Sequence, residues 1–355
     1  MPAETHFDVR RLTDAIARVF VAAGLSPTAS GTVAEAIVEA DKRGISSHGS
    51  LLVPMYVDRI LAGSVSTCVE ATVISDQRTT AVLDGQHGLG MLTGDQAMAM
   101  AVAKAQAHGL GAVVVRRAFH FGGGFRFVQA AARSGCIGVA AANTRPLMPA
   151  PGGAHAVVGN NPLAFGVPTA DGVPLVLDMA LSEAALGKIR LAAQEGREIP
   201  ATWATDANGV PTTDAAAAVA GLLLPAGGHK GYGLALIVDV LTGVLSGGAF
   251  GEHVQGLYAD TSVPNDCAHF FLALDVAAFC SIAEFEERLA ELTEQATRGP
   301  LADGVARLFL PGQIEAERAA AAEANGVPLD PSVVEALEES ARKVGVDLDL
   351  AGAAA

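Results

Sequence analysis

Aromatic side chains are scarce, at 5% of 355 residues, and tryptophan occurs once. A core with few large rings must be packed from small side chains, and the 40 glycines and abundant alanine let helices and strands approach closely. Charged residues are also few, at 17%, while half of the chain is hydrophobic, which excludes a disordered polymer. The net charge is −15 and no basic run occurs, so no nucleic-acid partner is expected. The acidic balance favours solubility. The four cysteines, Cys68, Cys136, Cys267 and Cys280, form no C-x-x-C pair and suit a reducing compartment better than a disulfide framework. No stretch of about 18 apolar residues is free of polar interruption, so no membrane span is expected. The opening MPAETHFDVRRL lacks the apolar centre of a secretion signal, and a cytoplasmic location is expected.

What is present reads as an α/β chain long enough for two or three domains. Val9, Leu12, Ile16, Val19 and Phe20 recur at helical spacing and stop at Gly24. Ser26-Pro27 offers an N-cap and a first-turn proline for a second helix carrying Val33, Ile37 and Ala40. A hairpin is predicted around Ser75-Asp76-Gln77-Arg78. Residues 94–108 read as an Ala/Met-rich helix stopped by Gly109, and 111–116 as a buried strand. Helix is expected at 127–134, 232–245, 282–297 and 331–344, and strand at 136–143, 175–179 and 269–275. Helices therefore gather at both ends of the chain. No internal repeat is present.

A dinucleotide fingerprint would place G-x-G-x-x-G between strand and helix, with an acidic residue about 20 positions on. The nearest match, Gly88-Leu89-Gly90 running on to Gly94, is one residue too long, and the next strand ends in Arg116. A simple strand-to-helix turn explains it better. No G-x-x-x-x-G-K-[ST] loop exists either. Three clusters instead set a histidine beside glycine, where backbone can approach a ligand closely. These are Ser47-His48-Gly49, His120-Phe121-Gly122-Gly123-Gly124 and Gly227-Gly228-His229-Lys230. Singly, each histidine fits a structural hydrogen-bonding role. Three such clusters among nine histidines point to a site. The last opens a long helix, whose free N–H groups beside Lys230 would cradle phosphate. Zinc-type spacings are absent, so no metal is expected. Ser47 lacks the G-x-S-x-G frame of a serine hydrolase.

These segments, RGISSHG, HFGGG, GNNPLAFGVP, VLDMALSEAALGKI, GVPTTD and LLPAGGHKGYGLAL, follow one another as in the type-2 malate/L-lactate dehydrogenases. From about residue 10 to about 315 the chain resembles that family, which also holds ureidoglycolate, sulfolactate and diketogulonate dehydrogenases and cyclic-imine reductases. The resemblance implies an α/β, non-Rossmann NAD(P)-binding fold with helical N- and C-terminal segments, in a homodimer. It implies N-terminal helices and part of a substrate and dimerisation domain over 1–118, a cofactor-binding domain over 119–250, and a return to the first domain over 251–355. His48 would give or take the proton, with Ser47 orienting it, and His120 is a second candidate base. His120 through Gly124 would lie along the cofactor, and Asp178, Met179 and Ala180 would line its nicotinamide side. His229 and Lys230 would meet its phosphates, and Leu310, Pro311, Gly312 and Gln313 its adenosine end. Oxidising a secondary alcohol sends hydride to the nicotinamide while a near-neutral base removes the hydroxyl proton, a task suited to histidine.

The departures concern the substrate. Many relatives carry an arginine four residues after this histidine, where a planar fork grips the substrate carboxylate; here Leu52 stands there. Gly159-Asn160 replaces the usual G-T pair, and Lys188 follows Leu186-Gly187 where the imine reductases carry aspartate. Lys188, Arg126 or Arg145 could replace the arginine as cation, or the substrate could lack a carboxylate there. A cofactor-binding protein with little catalysis, or a reductase of ketones or cyclic imines, are the other readings. The cofactor is NAD or NADP. Residues 309–315 hold no arginine for a 2′-phosphate and end in Glu315, which leans towards NAD, although Arg307 and Arg318 flank them.

Overall fold

The protein is described here by a computed structural model covering residues 5–348 and 350. The chain opens with β1 (Thr5–Phe7), α1 (Val9–Ala22) and α2 (Pro27–Lys42). Asp8 caps α1 by accepting the N–H of Arg11 at 2.9 Å, and Ser26 caps α2 by accepting that of Ala29. Two 3-10 turns, Ser46–His48 and Ser50–Leu52, lead into α3 (Val53–Leu61), a helix that periodicity did not announce. The hairpin β2 (Thr72–Asp76) and β3 (Thr80–Asp84) follows, then α4 (Gly90–His108), which begins a turn earlier than expected. Next come β4 (Leu110–Ala118), α5 (Phe125–Arg133), β5 (Cys136–Ala142), and the short β6 (Met148–Pro149) and β7 (Ala156–Val158). β8 (Leu163–Val167), β9 (Leu175–Met179), α6 (Leu186–Gln194), α7 (Ala215–Val219) and α8 (His229–Asp239) complete the middle. β10 (Cys267–Asp275), α9 (Ile282–Thr297), α10 (Gln313–Asn325), β11 (Val327–Leu329) and α11 (Pro331–Lys343) close the chain.

Seven strands form one sheet in the order β2-β3-β4-β10-β5-β8-β9, in which only β3 and β4 run parallel. The late strand β10 thus sits between β4 and β5. The sheet draws on the early, middle and late parts of the chain. Helices α4 and α5 cover one face, where small residues make close approach possible. A Cβ on Gly111 would overlap the α4 backbone, and one on Gly138 would stand 2.6 Å from Ala131 Cβ.

The other buried clusters are helical. One joins α1, α2, α3 and α11 around Leu12, Phe20, Ile37, Tyr56 and Leu337. Another packs α6, α7 and α8 with β6 and β7. Arg59 of α3 is fully buried and donates to the carbonyls of Gly256, Leu257 and Val263 at 2.8–2.9 Å, tying the 256–263 loop to the first cluster. The segment expected to be one helix over 232–245 passes from α8 into a π-helical turn at Val240–Val244. Among the described residues no helix is long and apolar enough to cross a membrane.

Candidate active site

The loop bearing Ser47 and His48 is held from below by Asp41 in the last turn of α2. The Asp41 carboxylate accepts the Ser50 N–H at 2.7 Å and the Ser50 hydroxyl at 2.6 Å. A Cβ on Gly49 would overlap that carboxylate, so the glycine of Ser47-His48-Gly49 is required by a close approach. Burial raises the Asp41 carboxyl to about 6 against the pull of the Ser50 bonds. Ser47 Oγ lies 3.0 Å from His48 Nδ1, leaving Nε2 free. Burial of the half-buried imidazole lowers the His48 pKa. Leu52 is only 3% exposed and belongs to the N-terminal helical cluster, whereas its neighbour Leu51 is 48% exposed.

His120 follows β4 between two anchored phenylalanines. Phe119 lies under the Arg59 guanidinium, 5.5 Å from its ring centre, and edge-on to Tyr56. Phe121 stacks on His269 of β10 at 4.8 Å. The His120 and His48 ring centres are 5.4 Å apart. Tyr56 Oη stands 2.7 Å from His120 Nδ1, a partner that sequence patterning missed because Tyr56 reads as one more residue of the largely apolar stretch after His48. Burial, then His48 and then His269, push the His120 pKa down to about 3, so its imidazole is neutral at physiological pH. Gly90 abuts this segment from α4. A Cβ there would overlap Phe119 O and come 2.8 Å from Phe121 Cα. The near-fingerprint at Gly88-Leu89-Gly90 is therefore a packing device that holds the His120 loop.

The triple glycine leads into α5, whose first N–H, from Phe125, donates to Asp178 Oδ2 at 2.8 Å. A Cβ on Gly124 would come 2.8 Å from Ala164 Cβ and 3.1 Å from Asp178 Oδ1, so the carboxylate is seated against the glycine run. Burial raises the Asp178 pKa, and the N–H bonds from Phe125 and Gly124 oppose the rise. A cavity of about 200 Å³ opens beside it, lined by Arg43, Phe125, Asp178, Pro311, Gly312 and Glu315. Val176 N–H donates to Pro311 O at 3.2 Å, which brings the Leu310–Gln313 stretch to the edge of β9. Gln313 Oε1 accepts the Leu310 N–H at 3.1 Å. Arg43 is committed elsewhere, bonded to Glu39 and Gln129 and placed over the Phe125 ring.

Beyond Met179 and Ala180 the chain is laced to two other segments. Leu181 N–H donates to Asn160 O at 2.7 Å, and Asn160 Oδ1 accepts the Thr144 hydroxyl at 2.9 Å. Ala226 N–H donates to Leu181 O and Glu183 N–H to Leu224 O. These bonds set the Gly227-Gly228 turn beside the end of β9, where Gly227 N–H donates to Glu183 Oε2 at 3.2 Å. Both glycines have positive φ, and nothing lies within 4 Å of a Cβ on either. His229 and Lys230 are exposed at the start of α8, and Gly187 and Lys188 at the start of α6 beside the half-buried Leu186. Arg126 is paired with Asp95 at 2.6 Å. Arg145 has no ion pair among the described residues and adjoins Thr144 in the chain; burial and the nearby Arg190 lower its pKa. No cluster of three or more His, Cys, Asp or Glu side chains disposed to hold a metal occurs among the described residues.

A family model described as malate/L-lactate dehydrogenase matches residues 7–338. A malate dehydrogenase of Pyrococcus horikoshii is 35% identical over 345 residues, covering 95% of each chain. An NAD(+) ureidoglycolate dehydrogenase of Escherichia coli K12 is 37% identical over 291 residues, covering 82% of this chain and 83% of the relative. The solved sulfolactate dehydrogenase of Methanocaldococcus jannaschii superimposes with a TM-score of 0.91 at 31% identity, covering 96% of this chain and 98% of that one.

Proposed function

The chain belongs to the malate/L-lactate dehydrogenase family, and from that premise we propose that it interconverts a small 2-hydroxy acid and its 2-keto acid with NAD(H) or NADP(H). The observation that carries this reading is the pair His48 and His120, 5.4 Å apart, at the head of a glycine run that leads to Asp178. The residues present suit a dinucleotide. Gly227 and Gly228 leave open space before a positive helix start with His229 and Lys230, which favours phosphate. The cavity at Asp178, Pro311 and Gly312 gives room at the other end. When bound, the nicotinamide accepts or returns hydride.

The protein's own part is to hold the substrate and move a proton. His48 Nε2 takes the hydroxyl proton in oxidation and returns it in reduction, while Ser47 keeps the ring oriented through Nδ1. Asn160, held by Thr144, and the Leu186–Lys188 turn border the substrate. With Leu52 buried and Arg126 paired to Asp95, Arg145 and Lys188 remain as cations for the carboxylate, and Arg145, next to Thr144 in the chain, is the one we favour. Residues 119–250 would carry most of the cofactor, flanked by 1–118 and 251–355, with Pro311 and Gly312 of the last segment reaching its far end. The exposed apolar side chains Leu234, Ile237, Val240 and Val244 along α8 and its π turn support a homodimer. A cytoplasmic location suits the free thiols.

The same cavity favours NAD. Glu315 faces it, Arg307 is bonded to Glu317 and stacked on Phe309, and Arg318 lies against Gly44. The test is a screen of 2-hydroxy and 2-keto acids with both cofactors. Turnover of at least one acid, faster with NAD(H), is the expected result. Absence of turnover together with cofactor binding, read by nicotinamide fluorescence, would favour a binding protein without catalysis.

A further inference from the structure

We infer that Tyr56 is a positioning residue that locks His120 as its Nε2–H tautomer, so that His120 meets the substrate oxygen as a hydrogen-bond donor and leaves the proton transfer to His48. Resting on the dehydrogenase reading for its catalytic part, the inference stands structurally on one contact. Tyr56 is fully buried, and the His120 Nδ1 at 2.7 Å is its phenol's only hydrogen-bond partner among the described residues. A buried O–H without an acceptor is costly, so the phenol donates and Nδ1 accepts. A neutral imidazole accepting at Nδ1 carries its proton on Nε2. Burial also raises the Tyr56 pKa well above its ordinary value, which keeps that proton on the phenol.

The surroundings keep the ring neutral. The titratable groups facing His120 are His48 from the first 3-10 turn, Tyr56 from α3 and His269 from β10, and no carboxylate is among them. The neutral ring is a donor at Nε2 and cannot accept a proton there. His48 differs, because its Nδ1 partner Ser47 is an exposed hydroxyl free to give or to receive. In oxidation the substrate O–H bond breaks and its proton joins His48 Nε2. With an oxidised nicotinamide bound, that ring would take the C–H bond's electron pair as hydride, and the carbonyl oxygen would form against the His120 N–H. The two histidines thus do different work, set by which hydroxyl each Nδ1 meets.

The experiment is long-range ¹H–¹⁵N correlation on histidine-labelled protein between pH 5 and 9, without substrate, with kcat and KM measured alongside. In the unaltered protein His120, assigned through His120→Gln, is expected as a single neutral Nε2–H tautomer that does not titrate in this range. In Tyr56→Phe it is expected to become a mixture of tautomers, with kcat lowered roughly tenfold by loss of one hydrogen bond and cofactor KM unchanged. An Nδ1–H tautomer in the unaltered protein, a titrating His120, or an unchanged His120 spectrum in Tyr56→Phe would each overturn the inference. The first two are read without any variant, so misfolding of Tyr56→Phe leaves the question decidable. The spectra need no turnover, so a failure of the dehydrogenase reading would appear separately, as a protein inactive on every acid tested.

Discussion

Asp41 and Gly49 are in direct apposition: the carboxylate at the end of α2 fills the space where any side chain on residue 49 would lie. The same carboxylate holds Ser50 by two hydrogen bonds. The position of His48 is thereby an outcome of helix packing rather than of its own contacts. Gly49→Ala is expected to displace the loop, lower stability by about 1–3 kcal/mol as overpacking does, and reduce kcat by more than it raises cofactor KM. Thermal unfolding and steady-state kinetics on the variant check this; normal kcat at normal stability would show that the loop has slack.

Asp41 should also leave a signature in stability against pH. Its folded pKa, about 6, lies above the ordinary value of 3.8, so folding favours the protonated form. The stabilisation is complete below about pH 4 and is lost as pH rises through 6. Two units correspond to roughly 3 kcal/mol between these limits. Urea unfolding at pH 5 and pH 8 should therefore show a loss towards pH 8 that Asp41→Asn, which cannot ionise, lacks. An equal pH dependence in the two proteins would place the titrating group elsewhere.

His48→Ala is expected to remove about 10²- to 10⁴-fold of kcat, the usual worth of a general acid–base, and to leave cofactor affinity unchanged. Kinetics and nicotinamide fluorescence titration check the two halves. A kcat near normal would transfer the proton role to His120.

Much of this site is legible in the sequence because its parts are short local devices. Ser47-His48-Gly49 and the triple glycine at 122–124 announce close backbone approach, and Gly49 and Gly124 have it, whereas Gly227 and Gly228 before His229-Lys230 are marked by positive φ with open space around them. The strands at 136–142 and 175–179 announce themselves by apolar runs bounded by glycine, proline or polar residues. Three features were out of reach. β10 enters the sheet between strands more than a hundred residues away, which no local period encodes. Asp41 is one acidic residue at a helix end until Gly49 is seen above it. Tyr56 acquires meaning only from His120, 64 residues later.

Leu52 illustrates the opposite case, in which a difference visible in the sequence takes on a new cost in the structure. The side chain is almost fully buried among α1, α2, α3 and α11. Leu52→Arg would carry a guanidinium into that cluster, where Arg59 already uses the nearby loop carbonyls. The expected outcome is a loss of stability of several kcal/mol with no gain on malate or lactate. Denaturant unfolding and kcat/KM on both acids decide it. A stable variant with raised kcat/KM would mean that residue 52 can turn outwards and meet a carboxylate.

Arg126 is held by Asp95, whereas Arg145 has no ion pair among the described residues and shares its surroundings with Arg190. Two guanidiniums that repel each other gain when an anion enters between them. Thr144, adjacent in the chain, donates to Asn160, the residue proposed to border the substrate. Arg145→Ala should raise the KM of an acid substrate about 10- to 100-fold, the worth of about 1.5–3 kcal/mol for hydrogen bonds to a charged group, with cofactor KM unchanged. Arg145→Lys should recover part of that loss by charge but not the bidentate geometry. Inhibition by added small carboxylates should weaken in parallel in Arg145→Ala. An unchanged KM in that variant would remove Arg145 from the site and leave Lys188, at the exposed start of α6, as the cation to alter next.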